Sequence, residues 1–291
     1  MKRRRRRFFE REIMKKVIIF LLFLFQFMLL STVLAQTPAI TNGLSYVNST
    51  QNPDGSWTGM VNRGMLPTTM SVIETLSILG QGNSQNYINA ASWLRAQQIP
   101  DMTTSDYLAE RIHVLSGAGS DESLLLSYLD AITGAWGGDG SPDVDNLDSA
   151  LALQALKKIN YPDQNIISSA LYYLTSTQNP DGGWAFRQAQ DGEIQDSNVY
   201  MTAVVLQTFQ QFSQTTSLAT AINKATSYLI VHQNADGGFA HSTGSGQGSS
   251  TVYETALAYI ALVGEITDAT VLGNAINYIS STQSPGGSWL Q

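Results

Sequence analysis

Cysteine is absent from all 291 residues, and that absence removes a large share of chemistry. No disulfide, thiolate metal ligand, cysteine nucleophile or lipidated cysteine is available. A chain exported without disulfides is held together by packing alone. Charge is scarce too, at 13% of residues, and the three histidines (His113, His232 and His241) stand at spacings that suit no metal. His232 sits just before a repeated Gln and reads as a surface residue of an outer helix. The period-two alternation that a half-buried strand needs is missing throughout.

Basic residues are concentrated at one end. Nine of the 16 Lys and Arg lie within residues 1–35, opposed only by Glu10 and Glu12. Residues 36–291 keep 7 basic and 21 acidic side chains, a net charge of −14, which repels a polyanion and excludes nucleic acid as a partner. An acidic glycan would need a basic cleft, for which Arg111 and Arg187 are the only candidates. The N-terminal segment is basic (MKRRRRRFFEREIMKK), then apolar (VIIFLLFLFQFMLLSTVLA), and ends in small residues before Gln36. That order predicts a signal peptide over 1–35, and Met14 followed by Lys15-Lys16 would by itself open an ordinary one. The competing reading is an uncleaved anchor, because an apolar run of about 19 residues can span a bilayer. The expected location is outside the cell or in its envelope, with the membrane met only through this segment.

What the remaining chain has in abundance is repetition. YVNSTQNPDGSW (46–57), YLTSTQNPDGGW (173–184), YLIVHQNADGGF (228–239) and YISSTQSPGGSW (278–289) are near-copies. An aromatic–aliphatic pair also recurs at Trp93-Leu94 and Tyr128-Leu129. A spacing of a few tens of residues marks units that cannot bury their apolar faces alone. The segment before each turn is amphipathic at helical spacing, as with Ile166, Ile167, Ala170, Leu171 and Leu174. The segment after it is apolar nearly all round, as in TAVVLQTF (202–209), with Asp148, Glu254 and Glu74 placed at polar N-terminal turns.

This alternation predicts an all-α α/α toroid of about six hairpins. Six outer helices are expected at 38–50, 84–98, 120–133, 164–178, 216–233 and 266–282. Five inner ones are expected at 67–80, 103–116, 146–158, 195–212 and 249–263. Pro180, Asp181 and the pair Gly182-Gly183 supply the turn between them. No inner helix follows the copy at 278–289, so the domain over 36–291 is read as incomplete in its last repeat, open or truncated at the C-terminus.

The repeated pattern resembles the QW repeat of the squalene–hopene cyclase and prenyltransferase superfamily. It is carried by Gln51 and Trp57, Gln178 and Trp184, Gln233 and Phe239, and Gln283 and Trp289. The resemblance covers nearly all of residues 36–291. It implies that these residues are structural, with Gln capping a neighbouring helix end and Trp stacking on the repeat. Terpene cyclases of this superfamily protonate their substrate with the middle Asp of a DxDD motif followed by Thr-Ala. The matching segment here is DNLDSA (145–150), in which Asp145 and Asp148 keep the outer positions and Leu147 replaces the middle acid. A proton donor needs a tuned carboxyl group at that point, so Leu147 argues against this chemistry. The missing cysteine argues equally against the zinc-dependent activities of the same fold.

Other candidates come from the residues themselves. Glu74, Tyr200, Tyr253 and Glu254, near inner-helix N-termini, are expected to line one rim of a central cavity and hold a ligand. Asp139, Asp143 and Asp145 gather oxygen ligands of the kind calcium takes, although no Gly stands sixth and no bidentate Glu closes the loop. No other metal or cofactor is indicated. The Gly/Ser-rich loop 241–250 reads as a linker, and Asp196 as the N-cap of the next helix. The functional expectation is an exported, non-catalytic repeat protein that binds a small molecule, a glycan or an envelope protein. The alternative is a divergent enzyme on the same toroid, terpene cyclase-like, prenyltransferase-like or polysaccharide-degrading, with carboxylates at the inner rim. Asp145 and Asp148 are its candidate acids.

Overall fold

The computed structural model describes residues 38–58, 64–97, 104–116, 120–138, 143–186, 195–241 and 248–289. The chain divides into two units, residues 47–284 with Trp289, and residues 38–46 with 285–288. Eleven α-helices stand among the described residues. The first, α1 (Pro38–Ser49), is followed by alternating inner and outer helices. The inner ones are α2 (Met65–Ile78), α4 (Ser105–Leu115), α6 (Asn146–Lys158), α8 (Val199–Gln211) and α10 (Val252–Leu262). The outer ones are α3 (Gln85–Ala96), α5 (Ser120–Ser127), α7 (Gln164–Ser176), α9 (Ala219–Val231) and α11 (Ala269–Ser281). Among the described residues no helix is long and apolar enough to cross a membrane; residues 1–37 lie outside them.

Each inner helix packs on the next, α2 on α4, α4 on α6, α6 on α8 and α8 on α10. Each also packs on its own outer partner, from α3 against α2 to α11 against α10. This is the two-layered order of the α/α toroid class. Burial follows the sequence pattern where the apolar run is longest. In α8 nine residues are buried, from Val199 to Phe209, whereas α7 buries one stripe of Ile167, Ala170, Leu171 and Leu174. Side chains of α4, α6, α7, α8 and α9 share one continuous core.

The joints between hairpins repeat atom for atom. Gly55, Gly182 and Gly237 hold φ of 97°, 92° and 86°. A Cβ on any of them would lie 2.6 Å from a carbonyl of the next outer helix (Asn89, Lys224 and Asn274). Only glycine combines that dihedral with that closeness. Asp54, Asp181 and Asp236 each accept the backbone N–H two residues on, which closes the turn. Gln51, Gln178 and Gln233 each donate twice. One bond goes to the joint glycine's own carbonyl, the other to a carbonyl in the first turn of the next outer helix (Asn86, Ala221 and Val271). In the unit formed by residues 38–46 and 285–288, Gly287 (φ 88°) stands against the Asn42 carbonyl in the same way.

Four indoles tie their joint to the preceding outer helix. Trp57, Trp136, Trp184 and Trp289 donate Nε1–H to the carbonyls of Val47, Leu125, Leu174 and Ile279 at 2.7–2.9 Å. Trp136 corrects the register read at Tyr128-Leu129. Its acceptor makes Leu124-Leu125 the equivalent of Tyr173-Leu174. The outer segment expected to run to 133 ends as helix at Ser127 and continues as a short hairpin, β1 (Leu129–Asp130) with β2 (Ala135–Trp136). Leu129 pairs with Trp136 across one residue more than separates Gln283 from Trp289. That extra residue disguises the third copy.

Candidate functional site: the face between the inner helices

The rotation of each inner helix is fixed by a hydroxyl. Thr69, Ser149, Thr202 and Thr255 accept the backbone N–H of Trp57, Trp136, Trp184 and Phe239 at 2.9–3.1 Å. A buried N–H left without a partner costs about 1–3 kcal/mol, so this bond pins one face of the helix to the joint. The register of α4 follows from its first residue. Ser105 donates its N–H to Gly138 just as Asn146 donates to Phe186, which makes Leu108 the counterpart of Ser149.

Counting from these positions brings out three belts. Two residues earlier stand Pro67, Asp106, Leu147, Tyr200 and Tyr253. Two residues later come Ser71, Glu110, Leu151, Val204 and Leu257. Five residues later come Glu74, His113, Gln154, Gln207 and Ile260. On α2, α4 and α6 the two later belts meet in a cleft of about 90 Å³, lined by Ser71, Glu74, Glu110, His113, Leu151 and Gln154, with Met70, Ala109 and Val114. A depression of about 230 Å³ opens near the C-terminal ends of α6 and α8, where Lys157 lies over the Phe212 ring and no carboxylate contributes.

Inside the cleft, His113 Nε2 stands 3.4 Å from Glu74 Oε1. The hydrogen bond from His113 holds the Glu74 carboxyl below its usual value, against the opposing effect of burial and with smaller help from the charges of His113 and Lys158. Gln154 donates to the Thr208 hydroxyl and Gln207 to the Leu257 carbonyl, so this belt links α6 to α8 and α8 to α10. Glu74 was expected at a helix N-terminus, equivalent to Glu254. It lies instead in the third turn of α2, nine residues after the helix starts at Met65. The partnership with His113 escaped a motif search because the two are 39 residues apart. Both stand five places past the hydroxyl position, and that shared register is the signal that finds them.

The other rim residues do meet. Tyr200 and Tyr253 stack with ring centroids 6.0 Å apart and planes 25° apart. His241 lies 6.3 Å from Tyr200 and places Nδ1 3.1 Å from Glu254 Oε1. Glu254 also bonds the hydroxyl of Thr251, the N-cap of α10. His241 thus joins a cluster from which its isolated sequence position had excluded it. His232 places Nδ1 2.7 Å from the Tyr228 carbonyl at the end of α9, a local role. Arg111 donates to the Gln97 carbonyl and pairs at 3.2 Å with the buried Asp121, whose carboxyl is raised by desolvation despite Arg111. Arg187 and most of loop 241–250 lie outside the described residues.

The two candidate acids are both buried, at 1% and 4% exposure. Asp145 is the N-cap of α6, and its Oδ1 accepts the Asp148 N–H at 2.8 Å. Leu147 occupies the belt position between them, and Leu151 one turn on lines the cleft. Of the residues considered for calcium, Asp139 is outside the described residues, Asp143 is exposed and Asp145 is engaged as this cap. Asp196 is not the cap of α8. Asn198 takes that place and accepts the Met201 N–H, because its backbone already bridges to Trp184.

Inner and outer helical hairpins fastened by glycine–tryptophan joints define the class of terpenoid cyclase-like toroids, and known proteins agree. The family model of the squalene–hopene cyclase C-terminal domain matches residues 24–108 and 140–291, and the chain belongs to that family. Squalene–hopene cyclase of Bradyrhizobium diazoefficiens is 29% identical over 147 residues, which are 50% of this chain and 19% of that enzyme. The chain thus aligns with about a fifth of that cyclase's length. Among solved structures, the type II terpene cyclase MstE from Scytonema superposes with a TM-score of 0.65 at 16% identity, over 87% of this chain and 81% of that one. The ent-copalyl diphosphate synthase from Streptomyces platensis gives 0.58 at 19% identity, over 76% and 44%. At these identities the likeness shows the fold.

Proposed function

We propose that this chain is a ligand-binding member of the family that holds a small molecule between its inner helices and does not cyclise polyenes. One observation carries the reading: Leu147 stands at the middle position of the DxDD-like segment, and the cleft between α2, α4 and α6 is lined by Glu74, His113 and Gln154. Proton-initiated cyclisation needs an acid to start it and an inert lining to protect the cations it makes. A carboxylate, an imidazole and an amide oxygen would each trap such a cation. Of the two acids that the motif keeps, Asp145 is committed to the α6 N-terminus and Asp148 is buried in its first turn. The basic-then-apolar segment 1–35 supports export, so the ligand is one met in the envelope or outside the cell.

The test is product analysis after incubation with squalene and with geranylgeranylated phenols, alongside thermal-shift measurements with isoprenoid alcohols, oligosaccharides and alkylamines. No cyclised product and a rise in Tm with at least one class are expected. A cyclised product from the wild-type chain overturns the reading. A second reading, a divergent enzyme, is favoured by the Glu74–His113 pair, which is suited to moving a proton. Turnover of a bound compound that stops in Glu74→Gln would select it.

A further inference from the structure

The depression at the C-terminal ends of α6 and α8 shares no lining residue with the cleft. Helix α6 ends in a closed turn, where the Tyr161 N–H reaches back to the Leu156 carbonyl and Asn160 takes a φ of 54°. Gly80, which follows Thr69 by the interval that separates Asn160 from Ser149, closes α2 in the same way at φ 71°. Glycine is the ordinary occupant of such a cap, and α6 carries an amide there instead. Lys157 departs from its equivalents too. At the same place in α8, Gln210 donates to the Ala261 carbonyl at the end of α10, whereas Lys157 holds its ammonium 5.2 Å from the centre of the Phe212 ring. Among the described residues no carboxylate pairs with Lys157, and the Asn160 amide and the Tyr161 hydroxyl have no hydrogen-bond partner. Asp163, the closest acid in sequence, is engaged as the N-cap of α7, where it accepts the N–H groups of Asn165 and Ile166. Leu156 and Ile167 give the depression an apolar floor that continues into the core.

We propose that this depression is a second binding site, independent of the cleft, for a planar aromatic monocarboxylate. The carboxylate accepts from the Lys157 ammonium, the Asn160 amide and the Tyr161 hydroxyl, three donors that no protein group uses, and the bond to Lys157 is charge-assisted. The ring lies on Phe212 and covers Leu156 and Ile167, so aromatic and apolar contact are gained together. At about 230 Å³ the depression falls just below the usual range for small-molecule sites, which limits the occupant to one or two rings. An amine would be repelled by Lys157. A plain hydrocarbon would strip water from the ammonium and the amide without replacing their hydrogen bonds. A phosphate or a dicarboxylate would carry a second negative charge that meets no second cation in the lining, within a region of net charge −14. One carboxylate on a flat body satisfies both halves of the site.

The full chain is titrated calorimetrically with naphthoate, naphthol and adamantanecarboxylate, the last keeping the charge and the bulk of naphthoate without its flat ring. Naphthoate is expected to bind about tenfold tighter than naphthol and severalfold tighter than adamantanecarboxylate. Lys157→Met is expected to abolish the preference over naphthol while leaving naphthol binding unchanged, and Asn160→Gly to reduce it. Phe212→Leu is expected to abolish the preference over adamantanecarboxylate. Lys224→Met, the same loss of charge on outer helix α9, and Glu74→Gln, in the cleft, are expected to leave naphthoate binding as it is. Thermal unfolding confirms that each variant folds, and Asn160→Gly carries the test of the carboxylate contact if Lys157→Met does not. Equal binding of naphthoate and naphthol, or an equal loss in Lys224→Met, overturns the carboxylate assignment. Equal binding of naphthoate and adamantanecarboxylate overturns the aromatic one. Loss of naphthoate binding in Glu74→Gln places the ligand in the cleft and overturns the second site, as does absence of binding by all three compounds.

Discussion

At the joints, Gly55, Gly182 and Gly237 share one dihedral, one approach to a carbonyl and one pattern of Gln and Asp bonds. On the inner face of the same repeats, equivalent places hold Glu74, His113, Gln154, Gln207 and Ile260. The joint tolerates one solution because a backbone turn, a buried indole and a neighbouring helix must all fit at once. On the inner face the neighbours differ from helix to helix: Glu74 meets His113, Gln154 the Thr208 hydroxyl and Gln207 the Leu257 carbonyl, so no single side chain is demanded. Uniformity therefore marks what builds the fold, and variation among equivalent positions marks where the molecule can be selective.

Substitutions can break or sharpen this contrast. The largest effect is expected from Trp184→Ala, which empties a fully buried site against Phe209 and abandons the Leu174 carbonyl. It should cost about 3–5 kcal/mol, read as a lower Tm and a lower urea midpoint. Gly182→Ala follows, at roughly 2–3 kcal/mol, because its methyl would meet the Lys224 carbonyl at 2.6 Å with φ still positive. Gly80→Ala, also at positive φ but in open space, should cost only about 1 kcal/mol. Thr202→Val removes the acceptor for the Trp184 N–H and should cost about 1–2 kcal/mol by denaturant titration.

The smallest effect belongs to the inner face. Glu74→Gln in the ligand-free chain should change stability by less than about 1 kcal/mol at neutral pH, since the side chain is 49% exposed and its pairing is screened. Its signature is in the pH dependence. The folded-state carboxyl is held below the ordinary glutamate value, so its contribution is present above that value and is lost as pH falls through the lower folded one. Urea midpoints of wild type and Glu74→Gln should therefore converge in acid. Midpoints that diverge on acidification would show that His113 does not hold Glu74 ionised.

Much of the fold was legible because its signals are local. The Asn-Pro-Asp-Gly-Gly turn declares its own dihedrals, and the stripe Ile167, Ala170, Leu171 and Leu174 declares its buried face within a few residues. Legibility failed where one added residue displaced a pattern. Leu124-Leu125 hid behind Tyr128-Leu129, and Asn198 behind Asp196, because the ear for a motif follows aromatic and acidic letters while the hydrogen bond follows geometry. At the site, Tyr200, Tyr253 and Glu254 could be guessed from rim positions. The Glu74–His113 pair could not, since it depends on how α2 and α4 are rotated against each other.

The sequence by itself determined the helical repeat, the joints that fasten it and the replacement of the middle acid by Leu147, because each depends on neighbours within one turn or one hairpin. Tertiary structure alone decided that Glu74 faces His113 and that Tyr200, Tyr253, His241 and Glu254 come together. The physical reason is rotation. An inner helix buried on most of its circumference has several faces of similar hydrophobicity, so its pattern cannot say which one meets the cleft. One hydroxyl on each of four inner helices, bonded to the N–H of a joint aromatic 12 to 16 or 18 residues away, removes that freedom.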